Sequence, residues 1–122
     1  MILLCFNVLQ AQTNSIKQDI IQTFKYDDGD ALARVFSSLK DLGSESIQNP
    51  GVYEIDTLAV YDIISTVDSV SKDITYASDS DKCLVVDLLY GILYTSIGDY
   101  GKAILAYESA NAFCNENHNV DV

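Results

Sequence analysis

The side chains that most often carry out catalysis are sparse in this chain and far apart. Its single histidine, His118, lies in the polar stretch 116–122, which we expect to be a tail that cannot hold a side chain in place. A Cys–His or Ser–His–Asp arrangement therefore has no positioned base to activate its nucleophile. A glycine-rich phosphate loop is also missing from the sequence. We expect a protein that is not an enzyme and that uses no cofactor.

Potential metal ligands are equally scattered. The three cysteines and the one histidine occur without the CxxC or HxxxH spacing of a zinc site. Asp27, Asp28 and Asp30 surround Gly29 in a way that faintly resembles a calcium loop, but the glutamate that closes such a loop is missing. The sequence therefore predicts no metal site.

Two of the cysteines are spaced for a disulfide bond. Cys83 and Cys114 lie 15 and 16 residues from Gly98, so a helical hairpin that turns at Gly98 brings both to the same end. A bridge requires their Cα atoms to lie within about 7 Å. If the protein is exported, we expect this pair to be bridged; in a reducing cytosol, both would be packing residues.

The first dozen residues, MILLCFNVLQAQ, carry no charge. This segment, 1–12, resembles the end of a secretory signal peptide with cleavage after Ala11, although no basic residue precedes its apolar run. The run is too short to span a bilayer, which takes about 20 residues. We therefore expect export to a periplasmic or extracellular location. The alternative is a cytoplasmic protein whose N-terminal helix or strand packs on the core.

The charge balance excludes several kinds of partner. Eighteen acidic residues against seven basic ones give a formal net charge of −11. Phosphate backbones and anionic membrane surfaces are repelled by such a protein, so we expect no nucleic-acid partner. A basic protein or peptide is compatible with this charge, and the alternative is a surface that is acidic only for solubility.

The spacing of the apolar residues predicts an all-α fold. Ser15 and Gln18 fit a capping box that begins the first helix, Gly43 is placed to end the second, and 43–51 is typical of a loop. The predicted helices span about 15–26, 30–42, 54–74, 80–97 and 100–115. They form a single domain over 13–115.

Residues 80–115 carry a pattern of small and aromatic side chains at fixed spacing. The residues that define it are Gly91, Tyr94, Gly98, Ala103, Tyr107 and Ala110. This pattern resembles one tetratricopeptide repeat, although Asp87 stands where that family has a bulky aromatic residue. The small residues let two antiparallel helices approach closely, the tyrosines fill the space beside them, and Gly98 makes the turn. The resemblance implies helical hairpins in a right-handed array.

The resemblance also implies a function, namely a non-catalytic scaffold for protein–protein contacts. Its groove-facing residues would come from the helix over 80–97, and they are Val85, Leu88, Ile92, Thr95 and Ser96. The partner would be a protein or peptide of unknown identity, or a second copy that contacts the last helix. In the alternative, these residues pack on the helix over 54–74. The protein is then a small structural or oligomerising all-α protein, or a truncated repeat protein, without a ligand groove.

Overall fold

The computed structural model describes residues 2–48, 53–74 and 80–118, with side chains over 10–41, 57–74 and 81–112. Five helices occupy these ranges, and no strand occurs in them, which confirms the predicted all-α fold. The helices are α1 (Ile2–Tyr26), α2 (Gly29–Gln48), α3 (Tyr53–Ser71), α4 (Ser80–Ser96) and α5 (Tyr100–His118).

The chain divides into two compact units, Met1–Val70 and Ser71–Val122, where the sequence predicted a single domain over 13–115. In the first unit, α1 packs against α2, and in the second unit α4 packs against α5. Each unit therefore contains a hairpin of two helices that follow one another in the chain.

Two predicted helix ends are wrong. Helix α1 begins at Ile2, so Ser15 lies inside a continuous helix and does not start one. Residues 2–14 contain neither proline nor glycine, and nothing in them interrupts a helix. Helix α2 continues through Gly43 to Gln48, and the predicted loop over 43–51 is wrong for its first six residues. A proline disfavours helical backbone in the residue that precedes it. Pro50 therefore explains why α2 ends near Gln48, whereas Gly43 does not end the helix.

The turn between α1 and α2 is made by two aspartates. Asp27 adopts a left-handed backbone with a φ of 53°, which a short polar side chain tolerates better than most. Asp28 caps α2, because its Oδ1 accepts hydrogen bonds from the N–H groups of Asp30 and Ala31, both at 3.1 Å. The short turn leads α2 back along α1.

Buried aliphatic side chains occur on all three helices of the first unit. The largest fully buried ones are Ile16, Ile20, Val35, Ile63 and Val67. At its edge, Lys17 Nζ lies 3.1 Å from Asp62 Oδ2 and joins α1 to α3. Arg34 Nη2 lies 3.1 Å from Asp19 Oδ1 and joins α2 to α1. Partly exposed pairs of this kind contribute about 0 to 1 kcal/mol, so core packing dominates the stability of the unit.

Candidate functional site

A tight turn positions the two helices of the second unit. Gly98 has a φ of 79°, and its N–H donates to the carbonyl oxygen of Thr95 at 3.1 Å. The N–H of Asp99 donates to the carbonyl oxygen of Tyr94 at 2.9 Å. These two bonds form a Schellman motif, which ends α4 and satisfies its last carbonyl groups.

The same turn also begins the next helix. The Oδ1 of Asp99 accepts a hydrogen bond from the N–H of Lys102 at 3.3 Å, and its carbonyl oxygen accepts one from the N–H of Ala103 at 3.1 Å. Asp99 is therefore the N-cap of α5. Because Gly98 ends one helix and Asp99 starts the next, α5 turns back along α4 with no intervening loop.

Replacing Gly98 with alanine is expected to lower the free energy of unfolding by about 1 to 2 kcal/mol, because left-handed backbone costs an L-residue that much. Urea unfolding followed by far-UV circular dichroism measures the change. Gly101→Ala is the matched control, since a methyl group there meets only Asp99 Oδ1 at 3.9 Å. An equal loss of stability in both variants would contradict a special role for the turn.

Small residues set the distance between α4 and α5. Gly91 is buried, and a Cβ atom added to it would lie 2.8 Å from Cδ1 of Tyr107 and closer still to the outer ring atoms. Ala103 and Ala110 are also buried, so α5 packs through short side chains. The ring of Tyr107 lies directly against the backbone of α4 at Gly91, where only glycine leaves room for it.

Tyr94 contacts two other side chains of this unit, those of Tyr90 and Lys102. It is half-buried and stacks on Tyr90 with ring centroids 6.0 Å apart. Lys102 Nζ lies 5.4 Å from the centroid of the Tyr94 ring and 3.9 Å from Asp99 Oδ2. Both contacts draw the charge of Lys102 back to the turn and α4.

The predicted groove residues of α4 have two kinds of environment. Val85, Leu88 and Ile92 are half-buried, whereas Thr95 and Ser96 are exposed. The Thr95 hydroxyl donates to the carbonyl oxygen of Gly91, and the Ser96 hydroxyl donates to that of Leu93, both at 2.7 Å. The two donors of this row are therefore already bonded within α4. The groove stays a prediction, and so does its alternative, packing on α3.

Among the described residues of the second unit, the most exposed large apolar side chains lie on α5, and of these the sequence predicted a role only for Tyr107, in hairpin packing. Tyr100, Ile104 and Leu105 are 64%, 56% and 67% exposed, and Tyr107 is 40% exposed. Glu108 is exposed beside them. These five residues are called the α5 outer face. Alanines 103 and 110 are buried, whereas Ile104 and Leu105 between them are exposed, and Tyr107 forms the edge of the face because part of its ring lies against α4 at Gly91.

Asp87, the residue that departs most from the family pattern, has a partner in the structure. Its Oδ2 accepts a hydrogen bond of 2.7 Å from the hydroxyl of Ser109, which joins α4 to α5. Because the side chain is only half-buried, its charge keeps contact with water as well. Asp87 therefore fits this hairpin without the desolvation cost of a fully buried charge.

The cysteine and histidine predictions lie mostly outside the described side chains. Cys83 is buried in α4, but the side chains of Cys5, Cys114 and His118 are not described. The bridge between Cys83 and Cys114 therefore stays a prediction. Among the described residues, no group of three or more histidine, cysteine or acidic side chains is placed to hold a metal ion.

Within the described ranges, none of the helices combines the length and the apolar character needed to cross a bilayer. Comparison with protein-family models, with curated proteins and with solved structures finds no match.

Proposed function

We propose that this protein is a non-catalytic, tetratricopeptide-like helical module that binds a helix of a partner protein on the α5 outer face. The observation that carries the proposal is the exposure of Ile104 and Leu105, 56% and 67%, on a helix whose opposite side is already packed. Contiguous exposed apolar side chains on a folded protein typically mark interaction sites.

The arrangement of the face supports a helical partner. Tyr100, Ile104 and Tyr107 recur at intervals of four and three residues, so they form one stripe along α5, and Leu105 widens it. An amphipathic helix lays its apolar side chains against a surface of this shape. The α4 row is a weaker candidate, because its apolar members are half-buried and its two hydroxyl donors are already bonded.

The α5 outer face is also held firmly. The Schellman motif and the Asp99 cap fix the start of α5, and the contact between Gly91 and Tyr107 fixes its distance from α4. A partner therefore meets a surface that is already in its binding conformation, which lowers the entropy cost of association. Burying the exposed fractions of Ile104 and Leu105, 56% and 67%, contributes about 2 to 4 kcal/mol before these costs.

The test selects binders from a displayed library of helical peptides and measures their dissociation constants by fluorescence anisotropy. The variant Ile104→Asp/Leu105→Asp is expected to weaken binding at least about tenfold, which corresponds to about 1.4 kcal/mol. Leu58→Asp/Tyr61→Asp is the matched control, because Leu58 and Tyr61 are 72% and 50% exposed on α3 and the variant gains the same two charges. Circular dichroism verifies that each variant remains helical.

Two results would contradict the proposal. In the first, selected peptides bind the Ile104→Asp/Leu105→Asp variant as tightly as the original chain, and the binding surface then lies elsewhere. In the second, the original chain self-associates in sedimentation equilibrium and that variant is monomeric. That result favours the alternative, a structural protein that uses the same face to oligomerise.

A further inference from the structure

Two acidic side chains lie beside the end of the α5 outer face that points towards the C-terminus. Glu108 is exposed three residues after Leu105, one turn further along α5. Ser109, four residues after Leu105, hydrogen-bonds the carboxylate of Asp87 at 2.7 Å and so holds it beside the same turn. Residues three and four positions apart on a helix are neighbours, so two carboxylates lie next to Leu105 on the side towards the C-terminus.

The cation that could neutralise these carboxylates from the same helix points elsewhere. Lys102 is the only lysine or arginine of α5, and its Nζ lies 3.9 Å from Asp99 Oδ2 and 5.4 Å from the Tyr94 ring centroid. Within the described residues, no lysine or arginine forms an ion pair with Glu108 or Asp87. The apolar centre of the face therefore has an acidic border.

From this arrangement we infer that the partner helix is cationic and amphipathic, with apolar side chains over Ile104 and Leu105 and a lysine or arginine that reaches Glu108 and Asp87. The inference rests on the proposed function and names the chemistry of its partner. The formal net charge of −11 acts in the same direction, because it attracts a basic segment from a distance.

The same charges disfavour the other occupants of this surface. A second copy of the chain would bring its own Glu108 and Asp87 into a self-complementary interface, and two molecules of charge −11 repel each other. An acidic helix would place like charges opposite each other, which costs binding energy. Phosphate-rich ligands are repelled for the same reason.

The experiment compares two synthetic helical peptides that share one pattern of leucines. One carries lysines and the other glutamates beside the apolar stripe. At about 0.1 M salt the lysine peptide is expected to bind at least about ten times more tightly, a difference of about 1.4 kcal/mol. The difference should shrink at about 1 M salt, where the Debye length falls from about 10 Å to about 3 Å.

Two charge-reversal variants locate the effect. Glu108→Lys is expected to remove most of the preference for the lysine peptide. Asp41→Lys is its matched control, since Asp41 is exposed on α2 and the change in net charge is the same. The control should keep the preference, apart from a small long-range effect that salt screens.

The outcomes separate this inference from the proposed function. If both peptides bind the original chain equally tightly, and the substitution Leu105→Asp weakens the binding of both, the inference of a cationic partner is wrong. The proposed binding face is then still supported. If the lysine peptide does not bind, or if Asp41→Lys removes the preference as fully as Glu108→Lys, the inference is also wrong. If binding of both peptides is insensitive to Leu105→Asp, the proposed function fails as well.

Discussion

Replacing Leu89 with alanine is expected to lower the free energy of unfolding by about 2 to 5 kcal/mol, the range for truncating a buried leucine. Leu89 on α4 is 0% exposed, so the change removes its apolar contacts and leaves a cavity. The same substitution at Leu105 on α5, which is 67% exposed, removes few contacts. We expect Leu105→Ala to change stability by less than about 0.5 kcal/mol.

Urea unfolding followed by circular dichroism measures both variants, and hydrogen exchange of the α4 and α5 amides assigns the loss to the second unit. Leu89→Met serves as a size control, because a volume-conserving apolar exchange usually costs less than about 1.5 kcal/mol. The comparison also bears on function. A loss for Leu105→Ala as large as that for Leu89→Ala would mean that Leu105 belongs to the core and is not available to a partner.

The parts of the fold that could be predicted from the sequence include the two short turns, one between α1 and α2 and the other between α4 and α5. The turn at Gly98 was predicted from the resemblance, and in the structure Gly98 adopts the left-handed backbone that glycine tolerates while Asp99 caps α5. The break at 27–30 was also predicted, but there the left-handed residue is Asp27, while Gly29 lies in α2. Asp28 caps α2, and Asp27, the residue that follows the end of α1, takes the left-handed backbone that commonly ends a helix.

Helix ends without such a turn were predicted less well. Ser15 and Gln18 have the chemistry of a capping box, yet the pattern has meaning only where a helix begins, and the apolar segment before it is helical too. Gly43 likewise costs a helix interior only about 1 kcal/mol, which the neighbouring helix-forming residues of α2 can offset. Local signals of this size do not decide a boundary by themselves.

The α5 outer face could not be predicted as a binding surface from the sequence, for a different reason. The resemblance assigned the binding groove to α4, and it involved the last helix only as a contact for a second copy. Helix α5 has apolar residues on more than one side: Ala103, Ala110 and part of the Tyr107 ring are covered, whereas Ile104 and Leu105 are exposed. A simple amphipathic pattern therefore cannot be assigned to it, and only the packing of the hairpin shows which side is covered.

The contact between Gly91 and Tyr107 gives the sharpest test of the hairpin geometry. Alanine is favoured over glycine by about 1 kcal/mol in a helix interior, so Gly91→Ala would stabilise an isolated α4. In the folded protein the added methyl group meets the Tyr107 ring, with Cδ1 only 2.8 Å away. We expect Gly91→Ala to lower the free energy of unfolding by about 1 to 2 kcal/mol, because the tyrosine must swing away from α4.

Removing the ring should reverse the sign of that effect. In the Tyr107→Ala background, Gly91→Ala is expected to raise the free energy of unfolding by about 1 kcal/mol, because only the helix preference remains. The coupling energy between the two sites is then about 2 to 3 kcal/mol, the upper range for residues in direct contact. Tyr107→Phe controls for the hydroxyl group and should leave the effect of Gly91→Ala unchanged. If Gly91→Ala stabilises the chain with Tyr107 in place, the ring does not lie against α4, and the close hairpin that presents the α5 outer face is wrong.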